Sequence, residues 1–174
     1  MIELEKTYLA RKLPNDLKNS KFKEIIDAYI PKQSKHPTLR LRKNGAKFEL
    51  TKKEPINEGD SSEQNEQTII LTEAEFEALN SQVDGKRVRK LRYFYEYKGR
   101  IAEVDVFQDA LLGLVLVDFE FESSQNKNSF EMPDFCLADV TQEDFIAGGM
   151  ICGKSYEEIK DKLDSYNYTK LYLD

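Results

Sequence analysis

The chain has 174 residues, with 26 Lys or Arg against 32 Asp or Glu and a formal net charge of −6. Its 40% hydrophobic content is too high for a disordered chain, and its acidic balance argues against a long nucleic-acid partner, which requires a basic footprint. The longest run without a polar or charged residue, residues 110–117, is shorter than the about 20 residues of a membrane-spanning helix. We therefore expect one domain over residues 1–174, with no membrane association.

The N-terminus is acidic from the start and lacks the basic-then-apolar pattern of a signal peptide. Cys136 and Cys152 have no metal-binding spacing. These features predict a cytoplasmic protein in which both cysteines are reduced and act as small buried side chains.

Alternation of polar and apolar residues with a period of two predicts β-strands along most of the chain. The predicted strands cover residues 1–9, 23–30, 38–43, 46–53, 64–71, 87–98, 101–107 and 114–122. Asn44-Gly45 predicts a hairpin turn between two of them. Because short turns join antiparallel neighbours, the pattern indicates an α+β fold with an antiparallel sheet of about eight strands.

Three helix starts are predicted by a Ser or Thr followed three residues later by an acid, which is the capping-box spacing. They are Thr72 with Glu75, Thr141 with Asp144, and Ser155 with Glu158. Residues 54–65 and 123–134 are rich in polar residues and predict loops.

Like charges recur at alternate positions of several predicted strands. The carboxylate pairs are Glu3/Glu5, Glu103/Asp105 and Asp118/Glu120, and the cationic pairs are Arg40/Arg42 and Lys90/Arg92. Such neighbours lie about 7 Å apart on one face and repel each other unless an opposite charge lies between them. Mg²⁺ or Mn²⁺ suits the carboxylates, and a phosphate suits the guanidinium groups. A solvated sheet face is the alternative, and for any single pair it is the better interpretation.

A sheet of about eight strands can close into a barrel. If the charged faces point inward, the lumen contains both metal-binding and polyanion-binding groups, and the helices cover the apolar outer faces.

The order of these segments resembles the CYTH domain family, also called triphosphate tunnel metalloenzymes. The family's N-terminal E-x-E-x-K pattern is matched by Glu3-Leu4-Glu5-Lys6-Thr7. The further matches are Leu39-Arg40-Leu41-Arg42, Leu50-Thr51-Lys52-Lys53, Lys90-Leu91-Arg92-Tyr93, Glu103-Val104-Asp105-Val106-Phe107 and Leu114-Val115-Leu116-Val117-Asp118-Phe119-Glu120-Phe121. The six motifs follow the family's order over roughly residues 1–145.

The resemblance implies an eight-stranded antiparallel closed β-barrel, a tunnel with a charged interior and a few flanking helices. It also implies a divalent-metal-dependent hydrolase that acts on inorganic tripolyphosphate or on an organic or nucleoside triphosphate. We expect the protein to be a monomer or homodimer.

Carried over to this sequence, the resemblance implies the following site. The metal ligands, for Mg²⁺ or Mn²⁺, are Glu3, Glu5, Asp118 and Glu120. The phosphate-binding residues are Arg40, Arg42, Lys53, Lys90 and Arg92. Asp105 and Glu103 support them, and the catalytic residues are Glu5, Arg92 and Glu120.

Two departures from the family pattern motivate a second hypothesis. Thr7 occupies the position of the family lysine, and Lys6 next to it points out of the barrel by the period of two. Ala138 replaces a lysine that commonly precedes the C-terminal E-V-T segment of the family. The alternative is a catalytically weak CYTH-like module that binds nucleotide or polyphosphate without efficient turnover. A third hypothesis is a β-barrel scaffold whose charged faces are merely solvated.

Overall fold

The computed structural model describes residues 2–173. Its strands are β1 (Ile2–Ala10), β2 (Phe22–Ile30), β3 (Leu39–Asn44), β4 (Lys47–Pro55), β5 (Glu63–Leu71), β6 (Lys86–Tyr97), β7 (Arg100–Phe107), β8 (Val115–Phe121) and β9 (Cys136–Asp139). The α-helices are α1 (Glu73–Asn80), α2 (Ser124–Asn128), α3 (Gly148–Ile151) and α4 (Tyr156–Asp164). None of the helices within residues 2–173 has the length and apolar character needed to cross a membrane.

The first eight strands form a closed antiparallel barrel. Their order is β5-β4-β3-β2-β6-β7-β8-β1, and pairing of β1 with β5 completes the circle. That closing seam is short, since it pairs only Ile2, Glu3 and Leu4 with Asn65, Gln64 and Glu63. The ninth strand pairs with β1 on the outside of the closed ring. The predicted fold class is therefore confirmed.

Alternation along the strands places charged side chains in the lumen and apolar ones outside. The outward apolar side chains are covered by the helices and connecting segments in three buried clusters. Phe76 of α1, for example, packs with Ala28 and Leu41 of the barrel. Free Cys136 and Cys152 are both buried among apolar side chains, as predicted.

Two local predictions were wrong. Thr141 does not begin a helix, because its hydroxyl donates to Asp139 Oδ1 at 2.5 Å instead of capping one, and only a 3₁₀ turn (Asp144–Ile146) follows. The predicted loop 123–134 contains α2, where Lys127 is 5% exposed and donates to Ser62 Oγ at 2.7 Å. The helix starts at Thr72 and Ser155 are confirmed as capping boxes.

Candidate functional site

One cavity of about 420 Å³ lies inside the barrel. All the candidate site residues from the sequence line it: Glu3, Glu5, Arg40, Arg42, Lys53, Lys90, Arg92, Glu103, Asp105, Asp118 and Glu120. They come together because each occupies an inward position of its strand.

Strand register determines which acids are neighbours. Glu5 of β1 lies opposite Glu120 of β8, and Asp118 lies opposite Thr7 on one side and Glu103 of β7 on the other. Three adjacent strands therefore present their carboxylates to one region of the lumen. Such a concentration of acids needs compensating positive charge.

Lys53 of β4 supplies part of that charge at the closing seam. Its Nζ atom lies 2.6 Å from Glu3 Oε2 and 2.8 Å from Glu5 Oε1. Burial by itself would lower the pKa of Lys53, but Glu5 and then Glu3 raise it above its ordinary value. The ammonium group thus occupies the position between two carboxylates where a bound cation would neutralise both.

Arg92 of β6 is the centre of a second group of ion pairs. Its Nε and Nη2 atoms each donate to Asp105 at 2.6 Å, Nη2 also donates to Asp118 Oδ2 at 3.1 Å, and Nη1 donates to Glu103. Lys90 donates to Asp105 as well. Burial would raise the pKa of Asp105, but Arg92 and Lys90 hold it at about 2. Asp105 therefore carries a full negative charge that positions both cations.

In contrast to Asp105, the acids Asp118 and Glu120 of β8 have raised pKa values. Burial, and then the charge of Asp105, raise the pKa of Asp118 well above its ordinary value. Burial and then the charge of Glu103 raise the pKa of Glu120. Both carboxylates are thus destabilised in their ionised form, and a cation placed near them would relieve that repulsion.

Two residues of β2 that the sequence did not single out, Asp27 and Tyr29, hold the arginines of β3, and Tyr29 also lines the cavity. Arg42 donates through Nε and Nη2 to both oxygens of Asp27, at 2.6 and 2.8 Å. Arg40 Nη1 donates to Tyr29 Oη at 3.2 Å, while its Nε is buried without a hydrogen-bond partner among residues 2–173. Asp27 and Tyr29 lie two residues apart on one face of β2. No repeated like charge marks this face in the sequence, so only the contacts with Arg42 and Arg40 reveal the two residues.

Thr7 takes the lysine position of the E-x-E-x-K pattern without replacing the charge of a lysine. Its Oγ1 atom donates to Asp118 Oδ1 at 2.8 Å. Its backbone is held from outside, because its N–H donates to Thr141 Oγ1 at 3.1 Å and its carbonyl accepts from Val140 N at 2.9 Å. Lys6 points away from the lumen, 3.8 Å from Asp139, as the period of two predicts.

The donor set fits a hard divalent cation, although residues 2–173 contain no group of three or more acid, His or Cys side chains already arranged around a metal position. The reason lies in the ion pairs, since Lys53 holds Glu3 and Glu5 while Arg92 holds Asp118. The side chains of Glu3, Glu5, Asp118 and Glu120 are all carboxylates, the ligands that Mg²⁺ and Mn²⁺ prefer.

Residues 140–151 lie across one end of the cavity, beside the end of β2. Gly148 makes this closure possible, because a Cβ there would lie 2.2 Å from Tyr29 Oη. The buried apolar cluster at this end includes Phe107, Leu116, Ile146 and Ile151. The cavity is therefore bounded by apolar side chains at this end and lined by charged ones along its length. A pair of adjacent glycines was the only sequence signal for this contact, which joins segments far apart in the chain.

Similarity to known proteins identifies the family. No protein-family model matches the chain. An inorganic triphosphatase of Nitrosomonas europaea is 31% identical over 144 residues, which cover 82% of this chain and 91% of that protein.

Solved structures share the fold. The inorganic triphosphatase NE1496 matches with a TM-score of 0.63 and 24% identity, over 87% of this chain and 95% of that one. A conserved hypothetical protein of Pyrococcus furiosus matches with a TM-score of 0.52 and 21% identity, over 72% and 82% of the two chains. Together with the barrel, its charged lumen and the ordered motifs, the Nitrosomonas relative shows that the chain belongs to the CYTH domain family of triphosphate tunnel proteins.

Proposed function

We propose that the protein hydrolyses a phosphoanhydride bond of inorganic tripolyphosphate, or of an organic or nucleoside triphosphate, inside the barrel, with a divalent metal ion. The observation that carries this proposal is the arrangement of the lumen, where a group of carboxylates faces a group of buried cations within one cavity. The activity named for the 31% identical Nitrosomonas relative supports it.

The metal ligands in this proposal are Glu3, Glu5, Asp118 and Glu120, and the metal is Mg²⁺ or Mn²⁺. When bound, such an ion would polarise the terminal phosphoryl group or activate water. The raised pKa values of Asp118 and Glu120, with burial as the largest cause in each, support the assignment because both acids are poised to gain from a cation. Glu120 and Glu5 belong to the catalytic set because they lie opposite each other in the register.

Lys53 changes partner in this scheme. In the structure its ammonium group is bound to Glu3 and Glu5. If Glu3 and Glu5 held a metal ion, the Lys53 ammonium group would be free to donate to a phosphate oxygen in the same lumen. One side chain would thereby neutralise the two carboxylates without metal and bind substrate when metal is present.

The remaining cations bind and orient the phosphate chain. Arg40 offers an unpaired, buried Nε, and Arg92 and Lys90 are held in position by Asp105. Arg42 contributes positive potential while its donors are engaged by Asp27. Arg92 is the catalytic cation, because it contacts both the supporting acids and Asp118 and so reaches the region where charge develops during phosphoryl transfer.

Thr7 supports the second candidate, a module that binds polyphosphate without efficient turnover. Its hydroxyl engages Asp118, and no positive charge stands at this position. If this candidate holds, calorimetry will show tight, metal-dependent polyphosphate binding with negligible phosphate release. A gain of activity in Thr7→Lys would favour the same candidate.

A phosphate-release screen tests the main proposal. Purified protein is assayed with tripolyphosphate, thiamine triphosphate, ATP and GTP, each with Mg²⁺ and with Mn²⁺. Release from at least one substrate, abolished by EDTA, supports the proposal. Absence of release from all four, with either metal, contradicts it.

A further inference from the structure

Lys23 differs from the other cations of the lumen. The Lys and Arg side chains that line the cavity are Lys23, Arg40, Arg42, Lys53, Lys90 and Arg92. The last five form ion pairs with carboxylates. Within residues 2–173, Lys23 forms none, and its Nζ atom instead lies 5.0 Å from the ring centroid of Phe94.

The acids nearest to Lys23 are already engaged. Glu49 accepts from Asn44 Nδ2 at 3.3 Å, and Glu103 accepts from Arg92. Arg42 and Arg92 add like charge to the same region. Burial lowers the pKa of Lys23, and the attraction of Glu103 only partly offsets it. A further anion would therefore be stabilised at this position, whereas a further cation would be repelled.

Lys23 also lies at the end of the cavity opposite the apolar closure. It is paired with Arg92 in the β2–β6 register, and its Cβ lies 3.4 Å from the position a Cβ would take on Gly45 of the β3–β4 hairpin. Tyr29, which packs on the closing segment, is on the same strand and same face, about 20 Å along the backbone from Lys23. A chain of phosphates held by the central cations can therefore extend away from this closure, toward Lys23.

From this placement we infer that Lys23 forms an outer anion subsite, which binds a phosphoryl group beyond the first three in linear polyphosphates longer than tripolyphosphate. This inference rests on the proposed function. It assigns tripolyphosphate to the central cations Arg40, Lys53, Lys90 and Arg92. It gives the protein a preference for longer chains, set by one residue.

Calorimetry with tripolyphosphate and tetrapolyphosphate tests the inference, both in EDTA, where no metal-dependent turnover occurs, and in the cold with Mn²⁺, where Lys53 is expected to be released from Glu3 and Glu5. The wild-type protein is expected to bind tetrapolyphosphate about 10-fold more tightly, the effect of one charge-assisted hydrogen bond. Lys23→Gln is expected to abolish that difference, and Lys23→Arg to keep it. The matched control is Lys47→Gln. Lys47 is an exposed lysine of the β3–β4 hairpin, which lies next to Lys23, but it does not line the cavity, and its variant is expected to behave as wild type.

Each outcome has a separate meaning. Equal affinities for the two polyphosphates in the wild-type protein, or an unchanged preference in Lys23→Gln, would overturn the outer subsite. If Lys47→Gln lost the preference for tetrapolyphosphate to the same extent, the outer subsite would be overturned too, because the preference would then arise from the overall positive charge of this surface. Absence of binding of either polyphosphate to the wild-type protein, both in EDTA and with Mn²⁺, would instead contradict the proposed function. Thermal melts of each variant confirm that the folded protein is being compared.

Discussion

Arg42 donates two hydrogen bonds to Asp27, from Nε to Oδ1 at 2.6 Å and from Nη2 to Oδ2 at 2.8 Å. Asp27 is 2% exposed, and although burial would raise its pKa, Arg42 holds that pKa well below its ordinary range. This pair fixes the guanidinium group on β3 before any ligand arrives. Arg42 therefore acts in the lumen mainly through its fixed position and its share of the positive potential.

Removing the charge of Asp27 tests this pair. Asp27→Asn leaves a buried guanidinium group unpaired, which is expected to lower the free energy of unfolding by about 3 kcal/mol. Urea unfolding measures the change. Asp84→Asn is the matched control, because its ion pair with Lys32 is largely exposed and is expected to contribute less than about 1 kcal/mol. Similar losses in the two variants would show that the buried pair has no special role.

The lowered pKa of Asp105 predicts how the free energy of unfolding decreases in acid. Its folded-state pKa of about 2 is below the ordinary value, so its contribution is fully present above an unfolded pKa of about 3.9 and is lost as pH falls toward 2. Urea unfolding between pH 5 and pH 2 should show this loss. Asp105→Asn should be less stable at pH 5 and should have a flatter pH profile. If the free energy of unfolding of the wild-type protein did not decrease as the pH is lowered from 4 to 2, the prediction would be contradicted.

The contribution of Asp118 to stability depends on pH in the opposite direction to that of Asp105. Burial and Asp105 raise its folded-state pKa, so its contribution to stability is present below the unfolded pKa and is lost as pH rises through the folded value. Without metal, Asp118→Asn is therefore expected to be more stable than wild type at pH 8. With Mn²⁺, wild type should gain thermal stability and Asp118→Asn should gain much less. Equal gains in the two proteins would remove Asp118 from the metal site.

Lys53 provides a test of the exchange between its ammonium group and a metal ion. Lys53→Gln removes the positive charge between Glu3 and Glu5, and Mn²⁺ affinity measured by electron paramagnetic resonance without substrate is expected to increase about 10-fold. The KM for tripolyphosphate is expected to rise in the same variant. Lys52→Gln, an exposed neighbour paired with Glu54, should change neither quantity. Weaker Mn²⁺ binding in Lys53→Gln would rule out the competition.

The sequence predicted those parts of the site that follow strand alternation. Glu5, Asp118 and Arg92 were visible because each repeats a like charge two positions from another, and closure of the barrel then places them in one lumen. Lys23 and Asp27 escaped notice because β2 has no repeated like charge on its inward face. Their roles depend on the partners that Arg42, Glu49 and Glu103 take in three dimensions.

Contacts between distant segments were also beyond local patterns. Thr141 has capping-box spacing, yet its hydroxyl accepts a hydrogen bond from Thr7 N and donates one to Asp139. These contacts form because β9 runs alongside β1. Lys127 lies in a stretch that is polar in sequence but packs against the β5 end, where it meets Ser62. In both cases tertiary contacts decided the outcome over local propensity.

The central claim concerns catalysis by the lumen, and one measurement addresses it most directly. It is the initial rate of phosphate release from tripolyphosphate, measured with Mn²⁺ and with EDTA for wild type and Arg92→Met. The account predicts release by wild type only with metal, and a loss of at least about 100-fold in Arg92→Met, since that variant lacks the cation that the proposal assigns to the developing charge. Phosphate release that persists in EDTA, or an Arg92→Met variant as active as wild type, would contradict it.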